Sequence, residues 1–426
     1  MSRGPEGSGG RGVRGEGRHG DQGPGTGHRD TEAQRQSSNL GHAEEISRKR
    51  AAGVAIFGAF VVAGVVTTLL GPILPILIGR WSLSDERAGL FFVCQFGTSM
   101  IGVASLSALI PRWGYRVTLA AGYAAISLGI AGLNSSGQIG GLIATSLLGF
   151  GIGLVLPASN LWVAEVAGRG RVAALSILNL TWGVGAIACS PLVLIAHAHG
   201  AIPVFLYAVA SLALAAALVL CRVDLEPQSR KQEAAEVPEI STGRVTVIAL
   251  GALFFLYVGA EDSVGGWAAA LAKRMGSSPN NLWALAPMFF WGGLLTGRAI
   301  VPVIPLRKRE KLLVTIGLTM GLAGSAALLE ASTFWGVAAC VGVTGLGFAA
   351  IYPVLITWMA KHFGERARRV GSLMFALAGL GGAVVPWAVG FVSTRFGSLQ
   401  TGLLVPAASC VVMLGLLLLI PRRMAT

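Results

Sequence analysis

Twelve apolar stretches, each about 20 residues long and divided by short polar breaks, run from Ala51 to Pro421. In hydrocarbon every backbone N–H and C=O must find its partner inside its own segment, so segments of this kind span a bilayer as helices. The pattern predicts an all-α membrane protein with twelve transmembrane helices. The spans fall near 52–78, 88–110, 115–134, 138–166, 172–196, 201–221, 245–271, 282–304, 311–330, 333–361, 369–393 and 398–420. A composition that is 53% hydrophobic and 12% charged agrees with a chain whose length is used up in the membrane.

The net charge of +13 would suggest nucleic acid in a soluble chain, but its distribution reports orientation instead. With the N-terminus cytoplasmic, 21 Lys and Arg flank the spans on that side, against Arg80, Arg87, Lys273, Arg274 and Arg395 on the other. The positive-inside rule then places both termini in the cytoplasm, as expected for a plasma (bacterial inner) membrane protein. The expected partners are the lipid bilayer and a small solute, with no nucleic acid, and the chain is expected to be a monomer.

Residues 1–50 are rich in Gly, Arg, Glu and Ser and are expected to form a disordered cytoplasmic tail; no secretory signal peptide is read there. Residues 223–244, with Glu226, Pro227, Glu233 and Pro238, read as a cytoplasmic linker between six-helix halves at 51–222 and 245–426. The halves look like copies. Gly149, Gly151, Pro157, Trp162 and Ala164 recur as Gly345, Gly347, Pro353, Trp358 and Ala360 at one offset of 196 residues. Six helices per half give parallel repeats about an axis along the membrane normal, which puts a functional cavity between the halves near mid-membrane.

Intramembrane ionisable groups are costly, about 2.5 to 3.5 kcal/mol at a helix centre, so each needs a reason to be there. Glu261 and Asp262 lie over halfway along span 7 among Gly259, Gly265 and Gly266. Neighbours on a helix point about 100° apart, so one can face the cavity while the other faces a packing surface. Glu261 holds a substrate hydroxyl or a coupling cation on the functional reading, and fixes packing on the structural one. Arg298 is read as snorkelling to the interface.

Asn160, Asn179 and Trp182 offer amides and a ring in the first half, and Trp267 and Trp291 offer rings in the second. Amides bond sugar hydroxyls and ring faces pack on the C–H side of a pyranose, which suits a neutral polyol. Glu165, beside Arg169 and Arg171, reads as a gating or anchoring group. No histidine lies mid-span, no metal-ligand or nucleotide-binding pattern occurs, and the five cysteines read as small core residues. No cofactor and no enzymatic activity are expected, which leaves an ion gradient as the energy source.

With these features the chain resembles the major facilitator superfamily over essentially all of residues 50–421, and the fold this implies is two pseudo-symmetric six-helix halves. More narrowly it resembles the fucose:proton symporter branch. Gly71-Pro72-Ile73-Leu74-Pro75, Gly149 to Glu165, Leu256-Tyr257-Val258-Gly259-Ala260-Glu261 with Trp267, and Gly293 to Arg298 carry that resemblance. Two departures stand out. The loop between spans 2 and 3 has Pro111 where the family places a gating Asp, so closure is expected to use Arg112 with Glu165. Fucose-type members carry carboxylates in spans 1 and 4 where this chain has Gly71 and Leu156, so their proton route is not carried over.

The resemblance implies a secondary transporter of a hexose or related polyol, working by alternating access with a proton or sodium ion. An efflux antiporter for amphipathic compounds is the alternative, since Gly183, Gly185 and Pro191 in span 5 partly match that pattern. A non-transporting sensor on the same fold is a third reading.

Overall fold

The computed structural model describes residues 50–134, 137–225, 244–275, 279–301, 309–363 and 367–420. Most of the expected tail and linker lies outside these residues. The first apolar stretch forms α1 (Arg50–Thr68) and α2 (Leu70–Trp81), interrupted at Leu69. Proline explains the break: Pro72 and Pro75 have no N–H to offer the carbonyls of Thr68 and Gly71, four residues back.

Next comes α3 (Asp85–Gly132), 48 residues that contain both the second and third stretches. Straight, it would be about 72 Å long, more than twice the hydrocarbon thickness of a bilayer. It turns back at Gly114, whose φ of 73° is open to glycine without strain, three residues after Pro111. Ser84 caps its start by accepting from the Arg87 N–H at 3.3 Å, and Asp85 and Glu86 occupy the first turn, where the helix dipole favours anions.

The chain continues through α4 (Gln138–Ala167), α5 (Arg171–Ala198), α6 (Ile202–Arg222) and α7 (Arg244–Arg274). A 3₁₀ segment (Pro279–Leu285) leads into α8 (Ala286–Ile300), followed by α9 (Glu310–Ala327). The tenth stretch divides into α10 (Phe334–Phe348) and α11 (Ile351–Phe363). Here Pro353 strips the Ala349 carbonyl of its donor, much as Pro72 does at Thr68. α12 (Ala367–Phe396), α13 (Leu399–Gly402) and α14 (Leu404–Leu419) complete the bundle.

Among the described residues nine helices are long and apolar enough to cross a membrane. With α3 making two passages, and the shorter α8 and α9 filling the eighth and ninth stretches, each of the twelve apolar stretches has its helix. Large apolar side chains such as Leu212 and Leu418 point out of the bundle, as lipid contact requires.

The glycines that repeat in the sequence make matching contacts. A Cβ on Gly149 would strike the Gln95 carbonyl on the first passage of α3, and one on Gly151 would strike Gly122 on the second. In the later helices a Cβ on Gly345 would strike the Phe290 carbonyl of α8, and one on Gly347 that of Gly317 in α9. α4 and α10 thus wedge backbone to backbone between their neighbours, where any side chain would hold the helices apart. Contacts between the first and last six passages run through α3 with α12, α5 with α8, and α2 with α7.

Candidate functional site

A narrow cavity lies on that boundary, at the interruption between α1 and α2. Thr67, Thr68 and Gly71 line it from the break, Phe92, Gln95 and Phe96 from α3, Asp262, Gly265 and Gly266 from α7, and Trp291 from α8. Glycine makes the meeting close: a Cβ on Gly71 would stand 2.9 Å from the Gly265 carbonyl. The space open to water is about 20 Å³, room for about one molecule.

Its polar groups are short of partners. Asp262 has no hydrogen bond and no cationic partner among the described residues. Gln95 is 4% exposed, and its Oε1 is buried without a hydrogen bond. Thr68 donates its hydroxyl to the Gly64 carbonyl at 3.0 Å, and Thr67 receives the Trp182 indole N–H at 2.9 Å. The unmet buried Gln95 oxygen costs about 1 to 3 kcal/mol, and half-buried Asp262 beside it adds a negative charge, so the cavity favours something that donates or is positive.

Glu261 has the opposite environment. One residue from Asp262, it turns away from the cavity and meets Arg298 of α8 at 3.8 Å. The Tyr257 hydroxyl lies beside both charges and donates to the Phe348 carbonyl at 3.1 Å, with the Tyr352 ring 6.0 Å from its own. This cluster belongs wholly to the later helices. Arg298 is therefore the ionic partner of Glu261, a correction to the snorkelling expected from its sequence position.

The other anticipated residues separate into two groups. Trp291 lines the cavity, and Trp182 packs edge-on against it at 5.7 Å, joining α5 to α8. Trp267 is fully buried, donates to the Pro386 carbonyl at 2.9 Å and lies 5.9 Å from the Phe92 ring; it ties α7 to α12 and α3. Asn160 and Asn179 each donate at 2.8 Å to the carbonyl four residues back, Leu156 and Leu175, and neither lines the cavity. The expected pairing of Arg112 with Glu165 is not formed. Glu165 accepts from the Tyr115 hydroxyl at 2.7 Å, while Arg112 lies over the Trp113 ring, because the corner at Gly114 sends Tyr115 inward against α4.

A second charged cluster had no place in the sequence reading. At the start of α3, Asp85 takes both guanidinium nitrogens of Arg274 from the end of α7, and the Ser393 hydroxyl from α12. Beside it the Glu86 N–H bonds Thr394 Oγ1 at 2.9 Å. Lys273 donates to the Pro75 carbonyl at 3.3 Å and sits 5.0 Å from the Trp283 ring, which also meets His197. Apart from Lys273 on Trp283, these contacts join early helices to late ones at one end of the bundle. At the other end Glu165 bonds within the early helices, and Glu310 takes Trp358 and Lys361 within the late ones.

Comparison with known proteins places these features in a lineage. The profile of the Major Facilitator Superfamily matches residues 56–386. Bypass of stop codon protein 6 of Saccharomyces cerevisiae (strain ATCC 204508 / S288c) is 24% identical over 387 residues, 81% of this chain and 77% of that protein. Among solved structures, the nucleoside transporter NupG (D323A mutant) superposes with a TM-score of 0.69 at 15% identity, covering 87% of this chain and 99% of that one. An inward-facing, occupied bacterial homolog of the human lysosomal transporter Spinster gives 0.68 at 14% identity, covering 87% and 96%. A D-xylose-proton symporter gives 0.65 at 14%, covering 85% and 96%.

Proposed function

The chain belongs to the Major Facilitator Superfamily, and on that premise we propose that it is a secondary active transporter of a small polar solute, a hexose or related polyol. Two six-helix halves, 51–222 and 245–426, rock about the cavity at Asp262, and a proton or sodium gradient drives the cycle. One observation carries the reading: over halfway along α7 a carboxylate without a cationic partner among the described residues lines the boundary between early and late helices, where alternating access needs its site.

The solute class rests on two supports. The stretches in spans 1, 4, 7 and 8 resemble the sugar symporter branch, and the similar solved structures include a nucleoside transporter and a xylose symporter, whose cargoes are compact and rich in hydroxyls. Trp291, backed by Trp182, supplies the apolar wall such solutes use once the boundary opens. With the basic termini in the cytoplasm, the Asp85–Arg274 cluster closes the outer side, and the cycle proceeds by opening it.

Uptake of radiolabelled sugars and nucleosides into proteoliposomes, under imposed proton or sodium gradients, tests the reading. Concentrative uptake of at least one polyol, abolished in Asp262→Asn, is expected. Gradient-independent results for every solute, with wild-type and variant alike, would refute it.

A further inference from the structure

We propose that the cavity at the α1–α2 break is a sodium site, with Asp262 supplying the charge. The inference deepens the transport reading and rests on the same cavity. The surrounding chemistry is almost wholly acceptor: the Asp262 carboxylate, the Gln95 Oε1 and the hydroxyl oxygens of Thr67 and Thr68. The backbone adds to it. Pro72 and Pro75 leave the carbonyls of Thr68 and Gly71 without their α-helical donors, and both residues line the cavity.

Three ligands compete for such a place, and the geometry separates them. A proton on Asp262 cancels the charge but gives one O–H, which leaves the buried Gln95 oxygen and the freed carbonyls as they were. An organic ammonium brings more donors, but the space holds about one water. A dehydrated sodium ion is smaller than a water molecule, so it fits the space, and it takes hard oxygen ligands all round it, so one ion can serve several of these acceptors at once. Carbonyls freed where a membrane helix is interrupted are suited to that role. Gln95 and Thr68 come from the early helices and Asp262 from the late ones, so the ion also ties the halves together in this state.

Binding of ²²Na⁺ to the purified protein in detergent, with no transported solute present, tests the site apart from the transport reading. Saturable binding is expected at constant pH, displaced by unlabelled sodium and poorly by potassium. Asp262→Asn should lower affinity at least tenfold. Gln95→Met keeps the volume while removing the acceptor, and should weaken binding about tenfold; it decides the matter if Asp262→Asn fails to fold. Absence of saturable binding, or equal affinity in Gln95→Met and wild type, would overturn the sodium site. Proton-driven polyol uptake that needs no sodium would overturn it too, and would leave the transport reading standing.

Discussion

Replacing Asp85 by Asn should loosen the closure at the end of the bundle where α3, α7 and α12 meet. The substitution keeps the shape and one acceptor but removes the charge that holds Arg274. Asp85 is 8% exposed and Arg274 40%. Breaking a fully buried pair costs about 3 to 5 kcal/mol, while an exposed pair is worth at most about 1. Half-screened by water at the arginine, this one should contribute about 1 to 2 kcal/mol to the closed state. That shifts the ratio of open to closed molecules by about 5- to 30-fold.

Ala88 reads the change, because it is fully buried one turn into α3, the helix that packs on α12, and three residues from Asp85. In a background free of native cysteines, Ala88→Cys should react with an impermeant maleimide about 5 to 30 times faster when Asp85→Asn is present. Arg274→Gln should act similarly, and the double variant should add little. Equal labelling rates, or fully additive effects of the two substitutions, would refute the idea that this pair holds the bundle shut.

Two further outcomes follow from the packing. Glu261→Gln should lower thermal stability by leaving Arg298 partly buried without its anion, about 1 to 3 kcal/mol, while Glu261→Gln with Arg298→Met should recover most of the loss; an unchanged melting temperature in the single variant would show the pair to be immaterial. Gly149→Ala and Gly345→Ala should each cost about 1 to 3 kcal/mol, because the added methyl meets a backbone carbonyl that cannot move aside, whereas Gly58→Ala, with open space at its Cβ, should leave detergent denaturation as in wild type.

The all-helical membrane class was legible because hydropathy depends on neighbours in the chain alone. The repeated glycines were legible for the same reason: a residue forced to be small at a helix crossing leaves its mark at a fixed offset. Side-chain partners were another matter. Arg298 and Glu261 lie on different helices, and sequence position alone gave Arg298 a sufficient explanation at the interface. Asp85 sits at a helix start, where an acid is commonplace, so its bridge to Arg274 and Ser393 left no local sign. Gln95 could have been found. It is a lone amide in the run Leu90-Phe91-Phe92-Val93-Cys94-Gln95-Phe96, and the cost of polar groups in hydrocarbon that singled out Glu261 and Asp262 applies to it in weaker form. Asn160 and Asn179 lie off this cavity, because a helical amide can bond its own backbone, as both do here.

The two adjacent carboxylates of α7 show why position on the helix matters more than charge. Glu261 meets its cation within the late helices, so under the proposed rocking of the halves the pair would move as one body with nearly constant energy. A group of that kind cannot favour one state over another. Asp262 faces the boundary, where its surroundings differ whenever Gln95 and Thr68 move away with the early helices. A ligand shifts a conformational equilibrium only by the difference in its affinity for the two states. A cation held between Asp262 and the early helices has that difference built in, since opening the boundary removes part of its shell. On the proposed cycle Asp262, without a cationic partner among the described residues, is therefore the carboxylate able to couple an ion gradient to the motion, while Arg298 already balances the charge of Glu261.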